Sequence, residues 1–194
     1  MRARADAASR TRQQIVHCAA EQLRASSEPV TRARIAAAGG VSRTTVYRHF
    51  RSITGLLDAV AADLLSRARF DHLLAAVSLP EPTAALAEVT RLGCGIWAID
   101  PDLVRNLFAL ARTQADALPV IGQLEAGRVQ IMAHLAQRLD DAGVLAAGLS
   151  RRDATDLLVA ATGFAGWDQI VTARRRPPAT ATRLIIRMAR RAVT

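Results

Sequence analysis

The sequence predicts an all-α fold, a small N-terminal three-helix unit followed by a larger helical bundle, and three observations predict it. Apolar residues recur at three- and four-residue spacing along almost the whole chain. The interruptions are short and carry Gly, Pro or a capping Ser, Thr or Asp. No stretch alternates apolar and polar residues as a half-buried strand would. The 194 residues, 51% of them hydrophobic, suffice for a sizeable core and for a small domain joined to a larger one, divided at 1–51 and 52–194.

Residues 1–9 place Arg2 and Arg4 among small residues and read as a mobile tail, of the kind that can enter a minor groove. From Thr11 to about Arg24, Ile15, Val16, Ala19 and Leu23 share one side of a helix, which ends before Pro29. Thr31 caps a second helix with Ile35 and Ala38 turned inward. Gly39-Gly40-Val41 then makes the turn, where glycine accepts the positive φ required. Ser42 caps a third helix, with Val46 and Phe50 on one face at i, i+4. Two short helices around so tight a turn are a helix-turn-helix.

After Phe50, Ser52 can cap a long helix to about Val77, with Ile53, Leu56, Leu57, Val60 and Leu64 as its stripe. Leu79-Pro80-Glu81-Pro82 breaks the chain before a helix from about Thr83 to Ala98. Asp100-Pro101-Asp102 opens the next with an N-cap, a proline at the first position and an acid near the positive end. A helix from about Pro119 to Asp141 stops at Gly143. Ser150 to Asp153 resembles a capping box and opens a helix lasting to about Arg174. Arg174-Arg175-Arg176-Pro177-Pro178 reads as a solvated connector. The last helix, from about Thr180, repeats Ile185, Met188, Ala189 and Ala192, with Arg183, Arg187, Arg190 and Arg191 mostly turned away.

Opposite Val46 and Phe50 the third helix presents Thr44, Thr45 and Arg48, flanked by Tyr47 and His49, with Arg43 in its first turn. Arginine can grip a guanine edge with two parallel bonds, threonine offers a hydroxyl and a methyl, and tyrosine and histidine reach backbone oxygens. The charge agrees. Of the net +9, residues 1–55 hold ten arginines against Asp6, Glu21 and Glu28, so the positive field concentrates where a phosphate surface needs it. All 26 basic residues are arginine, which points to codon bias more than to selection at single sites.

These residues closely resemble the DNA-binding segment of the TetR family of bacterial transcriptional regulators. Thr31, Ile35-Ala36, Gly40-Val41-Ser42 and Thr45-Val46-Tyr47-Arg48-His49-Phe50 stand where that family has a Thr, Ile-Ala, a Gly-Val-Ser turn and Thr-x-Tyr-x-His-Phe. The resemblance is specific over roughly residues 10–57 and architectural beyond. It implies double-stranded DNA contacts from Thr31, Arg32, Ser42, Arg43, Thr44, Thr45, Tyr47, Arg48, His49 and Arg51. Two departures stand out: Ile53 replaces a lysine that often contacts phosphate, leaving Arg51 as the substitute, and Gly55 occupies the first turn of the next helix.

The resemblance further implies a repressor that binds a palindromic operator as a homodimer, joined through the last two long helices, and releases it on binding a small effector inside the bundle. Ala160, Gly163 and Trp167, at i, i+3, i+7, suit either that interface or an intrachain contact. The bulkiest candidate walls for an effector are Trp97, Phe108, Met132, Phe164 and Trp167, with Asn106, Gln130 and His134 as polar groups. With so few charges on these faces, a mostly apolar ligand is expected.

Other classes fit less well. His17, His49, His72 and His134 lack a Cys, Ser or paired carboxylate at catalytic or metal-ligand spacing, so no enzyme, cofactor or metal is expected. Cys18 and Cys94 read as free thiols of a reducing cytoplasm, with redox control through them as the alternative. There is no secretory apolar stretch. The uncharged run Leu157 to Trp167, bounded by Asp156 and Asp168, is too short to span a bilayer, so a cytoplasmic protein with no membrane partner is expected.

Overall fold

The computed structural model describes residues 2–194, with side chains from Asp6 onward. Eleven α-helices account for the described chain, with no strand among the described residues. They fall into two compact units. The first joins residues 1–64 to 100–123, and the second joins 65–99 to 124–194.

In the first unit α1 (Arg2–Ala25) packs against α2 (Arg32–Gly39), and α2 against α3 (Arg43–His49). The expected mobile tail is not what forms: α1 already begins at Arg2, because Ala and Arg between residues 2 and 10 are strong helix formers. The minor-groove role of Arg2 and Arg4 lies outside the described side chains. Ile15, Val16, Ala19, Leu23, Ile35, Val46 and Phe50 are all buried, as their spacing predicts. Ala38 is not: it is exposed, and Ala36, beside Ile35, fills the inner position.

The remainder of this unit is α4 (Ile53–Arg67) up to Leu64, and α7 (Pro101–Leu110) with the short 3-10 turn Ala115–Ala117. Helix α7 packs directly on α1, burying Leu103, Val104, Leu107 and Leu110. The compact unit around the helix-turn-helix therefore draws on chain well beyond residue 51.

The single helix expected from Ser52 to Val77 is two. Arg69 sits at φ 52, and α5 (Phe70–Val77) starts after it. Leu73 follows Leu64 by nine residues, two and a half turns, so one straight helix would point them to opposite sides. The kink allows both to be buried.

In the second unit α6 (Pro82–Ile99) packs against α5, α10 (Phe164–Asp168) and α11 (Pro178–Val193), and α11 against α9 (Arg151–Ala161). Leu86, Val89, Leu135, Leu139, Leu158 and Ala189 form its core, with α8 (Leu118–Asp141) contributing the two middle leucines. The Arg138 guanidinium donates to the carbonyls of Val77, Leu79 and Pro80, closing the end of α5.

The helix expected from Ser150 to Arg174 is also interrupted. Thr162 turns its hydroxyl back to Leu158 O at 2.7 Å, Gly163 is extended (φ −68°, ψ 153°), and α10 and a π-helical turn, Gln169–Ala173, follow. No helix among the described residues is long and apolar enough to cross a membrane.

Candidate nucleic-acid interface

Backbone capping sets the angle between α2 and α3. Gly40 adopts φ 61, ψ 28, its N–H and that of Val41 closing the end of α2 on Ala37 and Ala36 carbonyls. Ser42 then accepts from the Thr45 amide at 3.0 Å and bonds the Thr45 hydroxyl at 2.9 Å. Gln14 of α1 donates to Gly39 O at 2.8 Å, so the turn is held from below as well.

The expected DNA-contacting residues divide into two sets. Arg43, Thr44, Tyr47, Arg48 and Arg51 are exposed, and Tyr47 shows 55% of its surface to solvent. The others are tied into the fold. Thr31 and Ser42 cap helices, and Thr45 is bonded to Ser42. Arg32 donates to Arg51 O at 2.6 Å and lays its guanidinium over the Tyr47 ring, 5.4 Å from the centroid. His49 is half-buried with Nε2 unpartnered. Ile53, where a lysine would extend the surface, is half-buried and apolar.

Sequence spacing gave no hint of the residues that fasten this head in place. Arg12 stacks over Phe50, 4.7 Å from its centroid. Arg24 pairs with Asp100, the N-cap of α7. Asn106 donates to Leu23 O at 2.6 Å and Arg24 O at 3.3 Å, so it serves the end of α1. Gln114 both accepts from Val30 N (2.9 Å) and donates to Val30 O (3.2 Å). The last three sets of partners are 76 to 84 residues apart, beyond any local pattern.

Of the candidate effector walls, three cluster. Trp97 meets Phe164 edge-on at 5.6 Å, and Phe164 stacks on Trp167 at 6.1 Å. Trp167 is fully buried, and neither indole N–H finds an acceptor. Met132 belongs to the same unit's core, whereas Phe108 belongs to the first unit. Gln130 and His134 are exposed on α8. Ala160 is exposed and Gly163 half-buried, while the burial of Trp167 makes it an intrachain anchor.

Cys94 is buried, and burial pushes its thiol up to about 11, only partly offset by a hydrogen bond with Thr182. Cys18 is half-buried, and a Cβ placed on Gly39 would lie 3.4 Å from its sulfur. Among the described residues no group of His, Cys, Asp or Glu could hold a metal ion.

Residues 24–60 match the family model for bacterial regulatory proteins of the tetR family. Solved structures with the same fold include a TetR transcription regulator from Haloarcula marismortui (19% identity, TM-score 0.71, 96% of this chain and 100% of that one). Another is NalD, the secondary repressor of the MexAB-OprM multidrug efflux pump in Pseudomonas aeruginosa (21%, TM-score 0.72, 97% and 98%). A third is the transcriptional regulator FadR from Bacillus subtilis in complex with stearoyl-CoA (15%, TM-score 0.72, 94% and 99%). No curated protein sequence matches the chain.

Proposed function

We propose that this chain, TetR-family by its helix-turn-helix segment and by its fold, is a ligand-responsive transcriptional repressor. It acts in the cytoplasm as a homodimer on a palindromic operator, through Thr31, Ser42, Arg43, Thr44, Thr45, Tyr47, Arg48, His49 and Arg51, with Arg32 serving the surface as the brace that positions Tyr47 and Arg51. The observation that carries the reading is the row Arg43, Thr44, Tyr47 and Arg48, exposed on a helix fixed at its start by the Ser42 side chain and at its end by the Phe50 amide. Side chains of this chemistry on a short, capped helix can enter a major groove, and two copies on a two-fold axis read half-sites about 34 Å or more apart.

The last two long helices are the proposed dimer surface, with Leu157 on α9 and Met188 on α11 as exposed apolar residues. The effector is a small, mostly apolar molecule held by Trp97, Phe164 and Trp167, where two indole donors await an acceptor, with Met132 and Phe108 as further candidates. It acts only through different affinities for the DNA-bound and released states. Residues 1–51 read DNA and 52–194 receive the signal. Within the head, α7 and the Gln114 that follows it are the route by which the signal arrives, through Arg24, Leu23 and Val30.

Titration tests the switch. Operator affinity is measured at saturating concentrations of each compound that binds the bundle, screened by thermal shift. A change of tenfold or so supports the reading; constant affinity for all of them rules switching out.

A redox regulator is the second reading, and Cys18 favours it, because a group added to its sulfur would press on Gly39 and the turn. Exchange of Cys18 for Ala with no change in oxidant response removes it.

A further inference from the structure

Residues 56–168 hold nine arginines and 14 acids, whereas residues 169–194 hold seven arginines and no acid. The C-terminal stretch is thus a second strongly basic region, separate from the helix-turn-helix. Along α11 the buried face is Ala181, Ile185, Ala189 and Val193, and Arg183, Arg187 and Arg190 stand opposite. Just before it the chain makes an irregular bend. The π-helical turn ends as Arg174 N bonds Gln169 O (3.0 Å), Arg175 takes φ 51, and Arg176 N returns to Ile170 O at 3.1 Å. Such turns and left-handed non-glycine residues are costly for the backbone and recur at functional sites.

The bend borders an open cavity of about 420 Å³ lined by Ile170, Leu184, Arg174 and Arg176. Ile170 and Leu184 are half-buried and apolar, while the two arginines are exposed and have no carboxylate partner among the described residues. The charges nearest to the two arginines along the chain are Arg175 between them and Asp168 six residues before Arg174, so the bend is net positive.

We propose that this cavity is a binding site for a small amphipathic anion, an apolar body ending in a carboxylate or a phosphate. The apolar part would lie on Ile170 and Leu184, and the anionic end would be gripped by the guanidinium groups of Arg174 and Arg176, whose planar donors suit either group. The volume falls in the range of small-molecule pockets, on the order of 300–1,000 Å³. The site is distinct from the aromatic cluster of Trp97, Phe164 and Trp167 and does not depend on it.

Calorimetric titration of the full chain with octanoate, octyl phosphate, octanol, acetate and inorganic phosphate tests the proposal. Octanoate or octyl phosphate should bind saturably, and the two together tell which anionic end is preferred. Octanol, acetate and inorganic phosphate should bind at least tenfold more weakly, because each lacks half of the recognition. Arg174→Gln with Arg176→Gln, and separately Leu184→Ala, should each weaken the preferred probe about tenfold or more, while circular dichroism and melting temperature stay unchanged. Three results overturn the proposal. The first is octanol binding as tightly as octanoate, and the second is the double arginine variant binding as wild type does. The third is loss of affinity for non-specific duplex DNA in the arginine variant with octanoate binding intact, which would make this bend a phosphate-backbone surface.

Discussion

Arg24 Nε and Nη2 both reach Asp100 Oδ2, at 2.7 and 2.6 Å, while Asp100 Oδ1 accepts from the Leu103 amide at 3.4 Å. One carboxylate thus caps α7 and holds the end of α1. Its side chain is 9% exposed against 30% for Arg24, so the pair is partly shielded from water. The bond to Asp100 is the main cause that raises the Arg24 pKa, with burial opposing it.

Separating the two jobs of Asp100 is possible by substitution. Asp100→Asn keeps a capping acceptor but loses the charge, and should cost about 1–2 kcal/mol of unfolding free energy, moderated by the exposure of Arg24. Asp100→Ala loses the cap too and should cost about 1 kcal/mol more. Urea denaturation of the full chain reads both values, and equal costs would remove the capping role.

The two glycines of the turn should behave oppositely. Gly40 needs φ 61, so Gly40→Ala should destabilise by about 1–2 kcal/mol and weaken operator binding. Gly39 ends a helix with an ordinary backbone, and its added Cβ would meet Cys18 Sγ at van der Waals distance, 3.4 Å. Gly39→Ala should stay within about 0.5 kcal/mol of wild type by the same denaturation measurement.

Arg32 is a brace in this geometry, bonded to Arg51 O and stacked on Tyr47. Arg32→Ala should therefore lower operator affinity severalfold without changing the slope of log affinity against log salt. A slope reduced by about one would mark Arg32 as a direct phosphate contact instead. Anisotropy titrations at four salt concentrations distinguish the two.

The buried Cys94 thiol, raised from 9.0 to about 11, should resist alkylation at neutral pH while Cys18 reacts. Because the fold holds the thiol in its neutral form, this group's contribution to stability is complete below pH 9 and is lost as pH rises towards 11. Mass spectrometry after iodoacetamide treatment checks the first point, and denaturation of wild type against Cys94→Ala between pH 8 and 10.5 checks the second.

Local chemistry was legible in the sequence where a side chain acts on its own neighbourhood. Thr31, Ser42, Asp100 and Ser150 all cap the helices they were expected to cap, because a cap bonds an amide only three residues away. The break at Arg69 carried no such mark, since no glycine or proline announces it and the cause is a change in the phase of burial. Gly163 was visible but read as a packing residue, although it ends a helix. The anchoring of the head by Arg24, Asn106 and Gln114 was out of reach, as each partner lies on a distant segment and either residue alone looks like surface.

Footprinting the protein's own promoter, together with anisotropy on the protected duplex and on random duplex, tests whether α3 reads a specific palindrome. Two protected half-sites related by a two-fold axis are expected. Arg43→Ala and Thr44→Ala should each lose about 1–3 kcal/mol on the operator but little on random DNA, and Tyr47→Phe and His49→Ala should weaken both. Equal wild-type affinity for promoter and random duplex, or equal effects of all four substitutions on the two, would contradict it.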